Sequence, residues 1–298
     1  MEKELKKVKF RLMTLADEGL FYRFASQTRN DLSAHTRFAF LSIYMPFVNV
    51  YIRETEHFLL IVLFDTVHKR LACLPPLGDW ANYSLKRPLE SYRSVFRTLK
   101  ADFVMIDVSE WMLPALQAAG LDTAHMQHDA EERDCVFMAR DYALSLMREQ
   151  TKQEIEKISA SHALRWLDYS DERKEMFLQA IKAVFDTRLK KLDAERLYAQ
   201  LLDLLAPLDI RLSMLVSENN VLGLLAYRLI DSQMEILMYY AAARPKGVEA
   251  VMRQRICESM GAEARKIFIA GAYYDKSLVA GKQAELRSQQ LFNYVIHG

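Results

Sequence analysis

The chain has 298 residues, 40 Lys and Arg against 39 Asp and Glu, a formal charge of +1 and a hydrophobic content of 51%. That length allows two domains with sizeable cores, and the balanced, interspersed charge argues against a nucleic-acid surface as the primary role. Cys73, Cys135 and Cys257 are far apart and odd in number, which suits a reducing compartment better than a disulfide framework.

Met1 is followed by Glu-Lys-Glu-Leu-Lys-Lys rather than an apolar segment. The longest apolar run, Phe58 to Phe64, is far below the ~20 residues that a membrane span needs. The sequence is therefore expected to be soluble and cytoplasmic, with no membrane span.

In the first half, Val8 to Thr14 alternates as a strand does, and Ala16 to Thr28 predicts a helix with Leu20, Phe21 and Phe24 on one face. Asn30 to Met45 is aromatic-rich and predicted helical up to Pro46. Val48 to Glu54, His57 to Thr66 and Arg70 to Leu74 read as three strands, and Pro75-Pro-Leu-Gly-Asp79 breaks the pattern. Pro88 to Leu99 is a helix, with proline tolerated in its first turn. A strand over Phe103 to Val108, a short helix over Trp111 to Ala119 stopped by Gly120, and a last strand over Asp134 to Ala139 complete this half.

Ala143 to Ser159 is charged and predicts a linker helix. A strand over 163–169, a helix from Asp171 to Leu189 and another from Asp193 to Leu205 follow. Leu212 to Ser217, Val221 to Ile230 and Met234 to Ala243 are three apolar runs separated by turn residues. Arg244-Pro-Lys-Gly247 then leads into a helix whose Val248, Met252, Ile256 and Met260 share one face, with Gly261 placed to end it. Lys266 to Ala272 is a strand, and Asp275 can cap a final helix through Leu286.

A strand, a basic glycine-containing loop and a helix together suggest an anion site. The free N–H groups of the first helical turn and the helix dipole favour negative charge there, and Gly247 allows close backbone approach. The competing reading is an ordinary basic surface loop. The strand order favours the site. Both halves run strand, two helices, three strands, helix, strand, helix, with one extra strand in the first half that finds no counterpart in the second.

This order resembles the Gcn5-related N-acetyltransferase (GNAT) fold. Two such units in one chain resemble the tandem proteins related to the C-terminal domain of phosphatidylglycerol lysyltransferase. The residues carrying the likeness are Phe38-Ala-Phe-Leu-Ser-Ile-Tyr44, Leu74-Pro-Pro-Leu-Gly78, Tyr240 to Ala250, and Ile267-Phe-Ile-Ala-Gly-Ala-Tyr-Tyr-Asp275 with Leu278 and Lys282. The expected fold class is α/β (α+β). It comprises a non-catalytic unit over 1–142 and a candidate active unit over 143–298, each a mixed, mostly antiparallel sheet flanked by helices.

The resemblance implies an N-acyltransferase. It would move an acyl or aminoacyl group from acyl-coenzyme A or aminoacyl-tRNA to a small-molecule amine or a lipid-linked acceptor, in the cleft between the halves and without a metal or DNA. In GNAT enzymes the loop after the fourth strand, Arg/Gln-x-x-Gly-x-Gly/Ala, holds the pyrophosphate of acyl-coenzyme A. Here that implies Arg244, Lys246, Gly247, Val248, Glu249 and Ala250 as the binding loop. The third marked position is Glu249, and a carboxylate there repels a pyrophosphate. The first half offers prolines in place of donors at Leu74 to Asp79.

Acyl transfer to an amine requires a base for the amine, an acid for the leaving group and donors for the oxyanion. Glu235 is the candidate base, and Tyr273 or Tyr274 the candidate acid. The plainer readings are a strand-start carboxylate facing water and packed aromatics. His125-Met-Gln-His128 with Asp129, Glu131 and Glu132 has metal-ligand residue types but reads better as a solvated acidic loop. The alternative to an enzyme is a degenerate, non-catalytic GNAT-fold protein that binds a ligand or partner.

Overall fold

The computed structural model describes residues 2–28, 36–123, 126–128, 134–185, 191–218, 220–261, 264–269, 288–291 and 293–297. The chain divides into two compact units, Met1–Arg133 with Leu291–Gly298, and Asp134–Gln290.

The first unit opens with a helix the sequence reading did not expect, α1 (Glu2–Lys7), with acidic residues in its first turn and basic ones in its last, as the helix dipole favours. The predicted strand over Val8 to Thr14 shortens to β1 (Arg11–Leu12). Lys9 takes a positive φ of 63°, and Asp17 folds the chain back by accepting hydrogen bonds from Arg11 and from the Thr14 N–H. Next come α2 (Glu18–Ala25), which buries Phe21 and Phe24, and α3 (Phe38–Tyr44). The rings of Phe21 and Phe38 meet edge to face at 5.6 Å.

Then follow β2 (Val48–Glu54), β3 (Phe58–Asp65), β4 (Leu71–Cys73) and β5 (Leu77–Gly78). The proline stretch read as a break thus ends in a short strand, and β5 pairs with β3. α4 (Lys86–Leu99) buries Leu89, Tyr92 and Phe96. The Tyr92 hydroxyl accepts the Ile61 N–H of β3 at 2.8 Å, so a helix side chain satisfies a sheet donor. β6 (Val104–Ser109) lies parallel to β4. α5 (Leu113–Ala118) and β7 (Gln127–His128) complete this run.

The second unit begins with β8 (Asp134–Met138), α6 (Ala139–Leu146) and α7 (Glu149–Ser161). The predicted linker helix is therefore two helices, broken where Arg148 is extended. β9 (Leu164–Asp168), α8 (Lys174–Phe185) and α9 (Lys191–Leu204) come next. A tight 3-10 turn over Asp171–Arg173 precedes α8, so the helix expected from Asp171 begins at Lys174. β10 (Arg211–Ser217), β11 (Asn220–Ile230) and β12 (Gln233–Ala241) form an antiparallel meander. α10 (Val248–Met260) crosses to β13 (Lys266–Ile269), parallel to β12. β14 (Ser288–Leu291) closes this sheet, whose order is β14-β8-β13-β12-β11-β10-β9. As expected, Val248, Met252, Ile256 and Met260 form one buried face, packed with Leu225, Tyr227, Ile236 and Tyr239.

Among the described pairings, each sheet has an antiparallel meander and one parallel neighbour pair. The extra strand of the first half now has its place: β8 pairs antiparallel with β13, in the second sheet. The last strand, β15 (Asn293–His297), pairs antiparallel with β6 in the first sheet. The contact division accordingly falls before β8 and returns residues 291–298 to the first unit, which differs from the expected 1–142 and 143–298. An apolar run shows that a strand forms; it does not show which sheet edge will receive it.

Candidate functional site

In the second unit the candidate base and the candidate anion loop lie on and after one strand, β12. The ladder between β11 and β12 slips once: Ala226 faces Met238, while the next residue, Tyr227, faces Ile236. Leu237 is left without an opposite number, which is a β-bulge. β12 pairs in parallel with β13 from Gln233 and Lys266 to Ile236 and Ile269.

Glu235 sits two residues before the bulge. It is 2% exposed rather than facing water. In register it stands opposite Arg228 of β11, itself buried, and beside Phe268 of β13. Directly opposed residues on adjacent strands project to the same face. Met234, Ile236 and Tyr227 belong to the core under α10, so Arg228 and Glu235 share the other face.

The Arg244–Ala250 loop begins beyond the end of β12, about 20 Å along the strand from Glu235 at ~3.3 Å per residue. Gly247 caps α10 with φ 101°. A Cβ at Gly247 would lie 2.9 Å from the carbonyl oxygen of Glu154 and 3.3 Å from Ile158, so α7 closes the side on which glycine would admit a ligand. Lys246 reaches the Glu154 carboxylate at 3.5 Å, with its side chain 85% exposed. Arg244 is also exposed.

Glu249 lies in the first turn of α10. Tyr239 donates its hydroxyl hydrogen to Glu249 Oε2 at 2.7 Å, and Arg253 Nε is 3.5 Å from Glu249 Oε1, one helical turn on. A carboxylate in that place satisfies the dipole of α10 from within the chain.

A pyrophosphate at this loop would need bare amides, close approach at Gly247 and net positive surroundings. Here Val248 and Ala250 are buried, α7 abuts Gly247, the Glu154 carboxylate pairs with the exposed Lys246, and Glu249 puts a second carboxylate in the first turn of α10. These residues do not fit the pyrophosphate of acyl-coenzyme A at the α10 terminus.

Tyr273, Tyr274 and Asp275 lie outside the described residues, as does His125. Among the described residues no group of three His, Cys, Asp or Glu side chains could hold a metal, and no helix is long and apolar enough to cross a membrane. Burial pushes the Cys257 thiol up to about 11 and the Cys73 thiol well above its usual value, which makes both poor nucleophiles. The sequence reading missed Arg228, Tyr239 and Arg253. Arg253 had a signal in its four-residue spacing from Glu249. Arg228 and Tyr239 sat inside apolar runs, and only the strand register brings them to their partners.

No family model matches the chain, and no curated protein sequence matches it. Solved structures do. A conserved protein of unknown function from Bacteroides thetaiotaomicron is 15% identical, with 97% of this chain and 99% of that one covered and a TM-score of 0.81. L-PGS from Bacillus licheniformis is 9% identical over 94% and 91%, with a TM-score of 0.63. A tandem GNAT protein from the clavulanic acid biosynthesis pathway is 10% identical over 97% and 98%, with a TM-score of 0.59. The chain has the tandem GNAT fold expected from its element order.

Proposed function

We propose that this tandem GNAT-fold chain transfers an acyl or aminoacyl group to an amine or a lipid-linked acceptor, from a donor other than coenzyme A held at α10. Aminoacyl-tRNA is the donor class that remains from the family resemblance. The observation that carries the reading is the bulge at Leu237, two residues from the buried Glu235. Bulges recur next to active sites, where they re-aim side chains and interrupt pairing.

In this reading Glu235 takes a proton from the acceptor, an amine or the glycerol hydroxyl of phosphatidylglycerol. The acceptor nitrogen or oxygen forms a bond to the ester carbonyl carbon, the bond from that carbon to the tRNA ribose oxygen breaks, and the ribose oxygen gains a proton. Tyr273 and Tyr274 stand as the proposed proton donors. Backbone N–H groups of β12 just beyond Leu237 would hold the developing oxyanion.

The burial of Glu235 opposite Arg228 favours a second reading, a non-catalytic protein that keeps the fold for ligand or partner binding. One assay separates them. The protein is incubated with aminoacyl-tRNAs carrying labelled amino acids, together with soluble amines or phosphatidylglycerol vesicles. The transfer reading expects label on an acceptor, reduced about 100-fold or more in Glu235→Gln, the scale of a lost general base. No labelled acceptor under any pairing supports the second reading.

A further inference from the structure

The first unit, read from sequence as non-catalytic, holds a cavity of about 1020 Å³ whose lining lies wholly within that unit. That is at the upper end of the ~300–1,000 Å³ usual for small-molecule sites. Its walls come from stretches far apart in sequence: the end of α1, the turn between β2 and β3, the loop at Tyr83 and Ser84, and the start of α4.

The lining is strongly cationic. Lys7, Lys9, Arg53, Lys86 and Arg87 line the cavity, against the carboxylates of Glu56 and Glu90. Of those carboxylates, Glu90 has a cationic partner of its own in Arg97 at 3.5 Å, so the lining keeps an excess of cations. Lys7 is paired with Glu4 at 2.7 Å. Among the described residues, Lys9, Lys86 and Arg87 have no carboxylate within ion-pair distance. The first turn of α4 carries no acidic residue, so the positive end of its dipole adds to the same field. At the rim, His57 and Tyr83 are stacked, with ring centres 3.4 Å apart and planes 9° from parallel. Tyr83 is 42% exposed, so the pair forms a flat, accessible aromatic wall.

We propose that this cavity binds a nucleoside polyphosphate, with the phosphates on Lys9, Lys86 and Arg87 and the base against the His57–Tyr83 stack. Cations that lack internal partners keep their field for a polyanion, and a stacked aromatic face takes any base. The site is independent of the transfer reading, because none of its residues lies in the second unit.

The test is calorimetric titration of the full chain with pyrophosphate, ADP and ATP at low salt, with phosphatidylglycerol vesicles as a separate arm. The expected result is binding of all three soluble phosphates, with the nucleotides tighter than pyrophosphate. Lys86→Glu and Arg87→Glu should each weaken all of them about tenfold or more, equivalent to about 1.4 kcal/mol. Tyr83→Ala should weaken ADP and ATP while leaving pyrophosphate unchanged. Each variant changes an exposed side chain, and its unfolding temperature is compared with wild type to confirm the fold. No binding at millimolar ligand, binding indifferent to both charge reversals, or binding to vesicles alone would each overturn the proposal.

Discussion

The hydroxyl of Tyr239 donates to Glu249 across 2.7 Å, so α10 receives its stabilising anion from its own chain. This contact separates the second unit from the anion-binding loop that its sequence order suggests. A hydrogen bond to a charged group contributes about 1.5–3 kcal/mol. Tyr239→Phe should destabilise the protein by roughly that amount in urea unfolding. A loss within error would show that the contact is not maintained in solution.

Acetyl-coenzyme A should not bind at the α10 terminus, and any rise it causes in the unfolding temperature should come from its ADP moiety in the first-unit cavity and be lost in Lys86→Glu. A ligand bound to the native state at ~100 times its dissociation constant would add about 2.7 kcal/mol. A clear upward shift with acetyl-coenzyme A, abolished by Gly247→Trp, would contradict the mismatch at α10.

Gly247 itself is fixed by geometry. Its φ of 101° costs a side-chain-bearing residue about 1–3 kcal/mol, and a Cβ would press on the Glu154 carbonyl at 2.9 Å. Gly247→Ala is therefore expected to destabilise by at least that amount, whether or not any ligand is present.

Arg228 and Glu235 are opposed across the β11–β12 ladder and both are buried. Removing one member of such a pair leaves a buried charge and typically costs about 3–5 kcal/mol, whereas replacing both with apolar residues is often close to neutral. Arg228→Met and Glu235→Leu should each be strongly destabilising, and the double variant less so than the sum. Additive losses would mean that the two side chains do not interact.

Part of the acid sensitivity of the first unit should trace to Asp17. The Arg11 guanidinium, at 2.5 and 2.8 Å, holds its carboxyl below the ordinary value of 3.8. A depressed folded pKa gives stability that is fully present above the unfolded value and is lost as pH falls through the folded one. Asp17→Asn should therefore lie closest to wild type at the most acid pH, and the gap should widen up to about pH 4–5 and then stay level. A gap independent of pH across that range would contradict the pairing.

The order of helices and strands was legible because apolar periodicity is local, and the α10 stripe from Val248 to Met260 shows how far it reaches. What the sequence could not show is non-local. Whether Asp134–Met138 joins the first or second sheet depends on which edge pairs with it. Glu235 reads as an exposed strand start until the register places Arg228 opposite. The first-unit cavity draws Lys9, Arg53 and Arg87 from three separate elements, and no spacing in the sequence unites them.

The most direct test of the central claim is transfer of a labelled amino acid from aminoacyl-tRNA to an amine or to phosphatidylglycerol, in wild type and Glu235→Gln side by side. The account predicts acceptor-dependent product in wild type and a loss of about 100-fold or more in a folded Glu235→Gln. No product with any aminoacyl-tRNA, or product formed equally well without the Glu235 carboxylate, would contradict it.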